Sequence, residues 1–238
     1  MKRAGVKHGF SKRGNRGGSK FGSMNVKSDS GTPDDPQRVA DNRQKILKRA
    51  NLNPEKLVFL RTLSHGNTVF QAHVRDGGHE IDGYDAITTN DPITIGLSVA
   101  DCVPILLFDR QTNAVAAVHA GWRSTQANVV IETVKEMQRH FGSDPIDLIA
   151  VLGPSICGKC FEVGEEVAEL FAEGHRSKRG RRLCVDLRSA NRLQLKMSGV
   201  EKIDDIDICT FENTRDFFSA RKEGQTGRFL AFISPKLK

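Results

Sequence analysis

The chain has no apolar run approaching the roughly eighteen residues of a membrane-crossing helix, and no apolar segment follows its basic start as it would in a secretory leader. Those absences lead to the expectation of a soluble protein that stays in the cytoplasm, with no membrane partner. Cysteine is sparse: five residues, an odd number at irregular spacing, which disfavours a disulfide framework and leaves free thiols or metal ligands. The chain shows no internal repeat, no linker and no break in composition. A single domain spanning residues 1–238 is the simplest organisation, long enough for one sizeable core.

A net charge of +7 is present, but its origin is local. Lys2, Arg3, Lys7, Lys12, Arg13, Arg16 and Lys20 supply seven cations within residues 1–20, which hold no acid, and the remaining chain balances at 29 basic against 29 acidic residues. Such an arm attracts polyanions. It carries no interleaved aromatics and no nucleic-acid motif, so no nucleic-acid partner is expected and residues 1–4 read as a flexible basic start. The glycines at 14, 17, 18 and 22 form a loop whose spacing matches no phosphate-binding pattern.

The alternation of apolar and polar residues predicts strands at 5–10, 57–62, 68–74, 94–99, 146–152, 206–210 and 228–233. Asp34-Asp35-Pro36 predicts a helix start, and Asn51-Leu-Asn-Pro54 its end. A second helix is expected from an N-cap at Ser124 or Thr125 to about His140, others over 164–171 and 187–197, and a solvated basic loop over 174–182. At the centre stand two apolar runs, 103–108 and 114–118, around Asp109-Arg-Gln-Thr-Asn113, the pattern of a buried hairpin. With Arg110 and Gln111 as the loop, Cys102 and His119 fall directly opposite, their Cβ atoms ~5 Å apart, a separation that a zinc ion bridges. A longer loop shifts that register. The same residues also fit a buried cysteine and a satisfied core histidine on an ordinary hairpin.

Of the other histidines, His140 suits a helix end, His175 a basic loop, and His73 and His79 exposed positions. His65 lies in a tight strand-to-strand break from which a ring can aim inward. Cys157-Gly-Lys-Cys160 is half of a zinc or redox motif with no second C-x-x-C to complete it, while Cys184 and Cys209 read as core.

Several segments together carry a resemblance. Ala100-Asp-Cys-Val-Pro104, His119-Ala-Gly-Trp-Arg123, Gly153-Pro-Ser-Ile156, Phe161-Glu-Val-Gly-Glu-Glu166, Cys209-Thr210, Phe217-Phe-Ser219 and Gly227-Arg228 resemble the YfiH family. Phe10-Ser-Lys-Arg13, Ser23-Met-Asn25 and Asn42-Arg43 extend the match. Members of that family are described as polyphenol oxidase or laccase-domain proteins, purine nucleoside phosphorylases and peptidoglycan editing factors. The resemblance implies an α/β/β/α sandwich with mixed sheets, similar also to the cytotoxic necrotizing factor catalytic fold. It implies a metal, usually zinc with copper as the alternative, on His65, Cys102 and His119, and substrate binding by Arg13 and Asn25. Purine nucleoside and phosphate are the implied partners, in phosphorolysis of adenosine, inosine or methylthioadenosine and in adenosine deamination. Leu63-Ser64, Ser124 and Ala220 depart from the family pattern without removing a ligand.

Three protein ligands with an open fourth position suit a catalytic zinc, and the N–H groups of a helix beginning near Ser124 would hold an anion beside it. The alternative is a Cys–His hydrolase or amidase acting in peptidoglycan precursor editing, with Cys102 as nucleophile and His119 as base. A multicopper oxidase needs many imidazoles, typically in His-x-His pairs, and seven histidines without such a pair fall short.

Overall fold

The structure, a computed structural model, describes residues 1, 5–14, 21, 24–28, 32–62 and 64–236. Residues 2–4 of the basic start, most of the glycine-rich 14–22 stretch, Ser23 and Leu63 lie outside the described residues.

The hairpin forms where the sequence places it. Strands Val103–Asp109 and Val115–Ala120 pair antiparallel and are buried along their whole length. They occupy the middle of a six-stranded sheet, ordered Lys202–Asp205, Leu148–Leu152, Val103–Asp109, Val115–Ala120, Ala86–Thr89, Val69–Gln71. A five-stranded sheet stacks against it, ordered Lys7–Phe10, Phe229–Ser234, Thr94–Val99, Leu57–Thr62, Glu80–Asp82. Both sheets are mixed: Leu57–Thr62 runs parallel to Thr94–Val99, which is antiparallel to Phe229–Ser234, and Lys202–Asp205 runs parallel to Leu148–Leu152.

Period-two alternation divides the hairpin between two apolar layers. Ile105, Leu107, Ala116 and Val118 pack with Val130, Val134 and Met137 of helix Val129–Phe141 and with Leu195 of helix Leu187–Met197. Leu106, Phe108, Val115 and Ala117 face Ile95, Leu97, Ala231 and Ile233 of the other sheet. A third layer sets Ile46 and Leu47 of helix Pro36–Arg49 on Leu57, Phe59, Leu230 and Phe232. Helix, sheet, sheet, helix is the expected α/β/β/α stack. Truncating a fully buried side chain such as Leu106 to Ala would cost ~2–5 kcal/mol.

Local chemistry explains both agreement and departure. Asp35 caps helix Pro36–Arg49 by accepting the Gln37 amide at 2.9 Å, and Pro36 occupies the first turn. Instead of a strand over 206–210, the strand is Lys202–Asp205, and beyond it only an isolated parallel bridge pairs Cys209 with Ser155. The partner strand ends at Leu152, before Gly153-Pro154, and the guanidinium of Arg188 gathers Asp205, Asp207 and the Ile206 carbonyl into a bend. The basic 174–182 stretch is exposed but is not a loop. Arg176–Arg179 and Arg182–Val185 form a hairpin turning at Gly180 (φ 62°), where only glycine is relaxed. The 164–171 helix shrinks to one turn, Glu165–Ala168. Among the described residues, no helix is long and apolar enough to cross a membrane.

Candidate metal centre

Asp109 sets the register on which the site depends. Its buried carboxylate accepts the amides of Gln111 (2.7 Å) and Thr112 (3.2 Å) and the Thr112 hydroxyl (2.8 Å). Its own amide closes on the Ala114 carbonyl at 2.8 Å, and Asn113 takes φ 63°. The loop is therefore residues 110–113 rather than Arg110 and Gln111 alone. Pro104, not Cys102, stands opposite His119, and the expected direct pairing is two residues out.

Cys102 and His119 meet nevertheless, through a glycine. A methyl group on Gly121 would stand 3.3 Å from Cys102 Sγ and 3.2 Å from His119 Cε1, so both side chains crowd the space that this glycine leaves open. His65 joins from the break after strand Leu57–Thr62, its ring edge-on to that of His119 with centroids 6.4 Å apart at 70°. Nδ1 of His119 is buried without a hydrogen-bond partner. An orphaned buried nitrogen costs ~1–3 kcal/mol, which a metal ion or a bound ligand would relieve. The donor set of two imidazoles and one thiol suits zinc. The spacing is open: among the described residues, the three donor atoms lying within 4.8 Å of one another belong to Cys157, Cys160 and Cys209, not to these three.

Burial dominates the electrostatics of the pair. It pushes the His119 imidazole down to about 4, with the His65 charge adding and the Asp85 carboxylate opposing. It pushes the Cys102 thiol up to about 11, with Asp101 adding and Arg228 opposing. Without a cation between them, the two are a neutral imidazole and a neutral thiol.

Two carboxylates absent from the expected site hold it in place. Asp85, fully buried, accepts the amides of His65 (3.0 Å) and Gly66 (2.9 Å) and the hydroxyls of Ser124 (3.0 Å), Thr68 (3.3 Å) and Ser64. Its carbonyl accepts the His119 amide at 2.8 Å. One residue thus positions two of the three candidate ligands and keeps His65 at φ 59°. Asp101, at φ 85°, precedes Cys102 and is anchored on both oxygens. Oδ1 takes the Thr210 hydroxyl (2.6 Å), Oδ2 the Arg221 amide (2.7 Å), and the Asp101 carbonyl the Ile156 amide (2.9 Å). A non-glycine residue in that region costs ~1–3 kcal/mol and persists only where its surroundings hold it. The available signal for Asp85 was a lone acid directly before the apolar strand Ala86–Thr89.

Arg13 and Asn25 are placed in the framework around this centre. The Arg13 guanidinium donates to Glu223 (2.7 Å) and to the Thr214 carbonyl (3.0 Å) and lies 4.8 Å from the Phe218 ring centre. Asn25 is fully buried; its amide group donates to the Lys27 carbonyl (2.8 Å) and Asp34 (3.0 Å), and its oxygen accepts the Arg228 amide (2.9 Å). It thereby ties down Lys27 and Arg228, whose charges act on His119 and Cys102 respectively.

The expected anion-binding helix start near Ser124 requires correction. Helix Trp122–Gln126 begins at an N-cap Gly121 and is one short turn, separated from Val129–Phe141 by Asn128 in a left-handed conformation. The Ser124 hydroxyl is engaged by Asp85, so neither a long helix dipole nor a free cap is present there. Cys184 is buried as expected, but Cys209 is half-buried and lies against Cys157 and Cys160 rather than in the core.

Residues 7–236 match a family model described as multi-copper polyphenol oxidoreductase laccase. A protein of Bacteroides thetaiotaomicron named purine nucleoside phosphorylase is 34% identical over 231 residues, covering 90% of this chain and 85% of that one. A protein from an unknown prokaryotic organism, named adenosine deaminase RL5, is 36% identical over 222 residues, covering 85% of this chain and 84% of that one. Among solved structures, the hypothetical protein YfiH of Bacillus licheniformis matches with a TM-score of 0.89 at 26% identity, over 97% of this chain and 93% of its own.

Proposed function

The chain belongs to the YfiH family, and from that premise we propose that it is a zinc-dependent purine nucleoside enzyme whose metal is held by His65, Cys102 and His119. The observation that carries this reading is the orphaned Nδ1 of His119, buried beside Cys102 Sγ in the space beneath Gly121 with His65 against it. Relatives named purine nucleoside phosphorylase and adenosine deaminase support phosphorolysis of adenosine, inosine or methylthioadenosine and hydrolytic removal of the adenine amino group. Zinc in such a site supplies a Lewis acid and water of lowered pKa at one open position.

The chain's own residues supply the rest. Asp85 fixes the His65 turn and, through its carbonyl, the His119 backbone. Asp101 sets the backbone from which Cys102 projects. Lys27 and Arg228 place positive charge against the larger influence of Asp85 on His119 and of Asp101 on Cys102. Asn25 is a positioning residue for that pair, and Arg13 braces the 214–223 segment through Thr214 and Glu223. The hydrolase alternative asks Cys102 to be a thiolate beside a protonated His119 without a metal, and the burial of both groups opposes each charge.

The test is direct. Metal-analysed protein is incubated with adenosine or inosine and phosphate, and products are identified by mass. Free base with ribose 1-phosphate, and inosine from adenosine, are expected, both abolished with loss of zinc. Full turnover by zinc-free protein, or by His65→Ala with unchanged metal content, would overturn the three-ligand reading in favour of the hydrolase.

A further inference from the structure

Three of the five cysteines gather away from His65 and His119. The sulfurs of Cys157, Cys160 and Cys209 all lie within 4.8 Å of one another. Cys157 and Cys160 come from the turn that follows strand Leu148–Leu152, and Cys209 from the segment that follows strand Lys202–Asp205. The turn is closed by the Cys157 carbonyl, which accepts the amides of Cys160 (3.0 Å) and Phe161 (3.1 Å). The Cys157 amide donates to Cys209 Sγ at 3.4 Å, an N–H···S contact that strengthens as the sulfur becomes anionic. Cys160 Sγ faces a fourth donor, Glu212 Oε1, at 3.6 Å. None of the three cysteines is in a disulfide.

We propose that Cys157, Cys160 and Cys209, completed by the Glu212 carboxylate, bind a second Zn²⁺ with a structural role. Three sulfurs and one carboxylate make four donors of the kind that close a tetrahedral structural zinc site, with no position left for substrate. Thiolates reject the hard cations magnesium and calcium. On binding, each ligand thiol gives its proton to solvent. Lys159, Arg179, Arg182 and Arg221 line the cleft beside Cys160 with one acid among them, Glu162, which pairs with Arg182 at 3.6 Å; the excess of cations offsets the negative charge that three thiolates and a carboxylate leave around Zn²⁺.

The position gives this ion a purpose. Ile156 and Thr210, each adjacent to a ligand, are the residues that hold the Asp101 carbonyl and carboxylate. Zinc on Cys157, Cys160 and Cys209 would staple the two segments that keep Asp101 at φ 85° and thereby set where Cys102 points. The proposal does not depend on the nucleoside reading.

The experiment measures metal on the full chain. Protein purified with zinc under reducing conditions is analysed by mass spectrometry of its metals, beside C157S/C209S, C102A and C184S variants. The double variant should lose one zinc equivalent per chain. C102A should keep that equivalent whatever becomes of the other site, which separates failure of this proposal from failure of the nucleoside reading. C184S should match the parent, because Cys184 Sγ is turned to the Lys159 carbonyl (3.7 Å). Should the double variant fold poorly, cobalt substitution of C102A gives the same answer with the three cluster cysteines intact. In C102A the sulfur-to-cobalt absorption should be that of three thiolates, roughly threefold that of a one-thiolate site. E212A should weaken the site by ~10-fold or more, while leaving its three-thiolate absorption. An unchanged zinc content in C157S/C209S, a disulfide among these cysteines in reduced protein, or copper in place of zinc after growth with both metals would overturn the proposal.

Discussion

The two sulfur-bearing centres of this molecule are built on opposite plans. At His65, Cys102 and His119 one thiol meets two imidazoles across an open space beneath Gly121, with Cys102 and His119 at the end of a hairpin buried along its length. At Cys157, Cys160 and Cys209 three thiols close on one another in connecting segments, with the Glu212 carboxylate against Cys160. A site that must admit substrate needs mixed donors, a vacant direction and rigid supports, whereas a staple needs only to be filled. Asp101 lies between them, touching Ile156 and Thr210 on one side and preceding Cys102 on the other.

The sharpest way to break the comparison is to remove a ligand from the open centre. Cys102→Ala or His119→Ala should lower nucleoside turnover by ~10³-fold or more, since the metal's contribution to the transition state is worth several kcal/mol. Steady-state kinetics with metal analysis checks this, and the three-cysteine cluster should keep its ion throughout. Asp85→Asn comes next. It preserves size but removes the charge that five donors of the 64–68 turn and Ser124 converge on. Metal affinity at the open centre should fall ~10–100-fold, read by chelator competition.

Gly121→Ala is a finer probe. The backbone there, at φ −74°, accepts any residue, so the effect is confined to the new methyl group 3.2–3.3 Å from His119 and Cys102. Affinity for metal should fall by ~10-fold, with the melting temperature shifted by no more than a few degrees. Retained affinity would show that the space is not the metal's.

The smallest effect concerns neither centre. Burial alone would raise the Glu223 carboxyl, but Arg13, Thr226 and the Ser219 amide bring it below the ordinary carboxylate value. A carboxylate lowered on folding stabilises above its unfolded pKa of about 4.3, and that contribution fades as pH falls through the folded value. Glu223→Gln should therefore destabilise by ~1–2 kcal/mol near neutrality and by progressively less in acid, measured by urea unfolding across pH.

Individual residues show how far the sequence alone reached. Runs 103–108 and 114–118 declare a buried hairpin because apolar character is a local property, and the turn chemistry of Asp35-Pro36 declares a helix start. The hairpin register was misplaced because the Asp109 side chain closes a longer loop, which the five polar residues leave undecided. By sequence Cys209 reads as core, because nothing near it reveals that a strand ends at Asp205 and brings it to Cys157.

Composition and period thus determined the layers, the central hairpin and the kinds of donor available, since these follow from which residues leave water and how often they recur. Only the tertiary structure decided that Asp85 would carry the His65 turn, that Gly121 would open the space between Cys102 and His119, and that Cys209 would come to Cys157 and Cys160. Each of those facts rests on contacts between residues far apart in the chain, which the folded sheets bring together and no local pattern encodes.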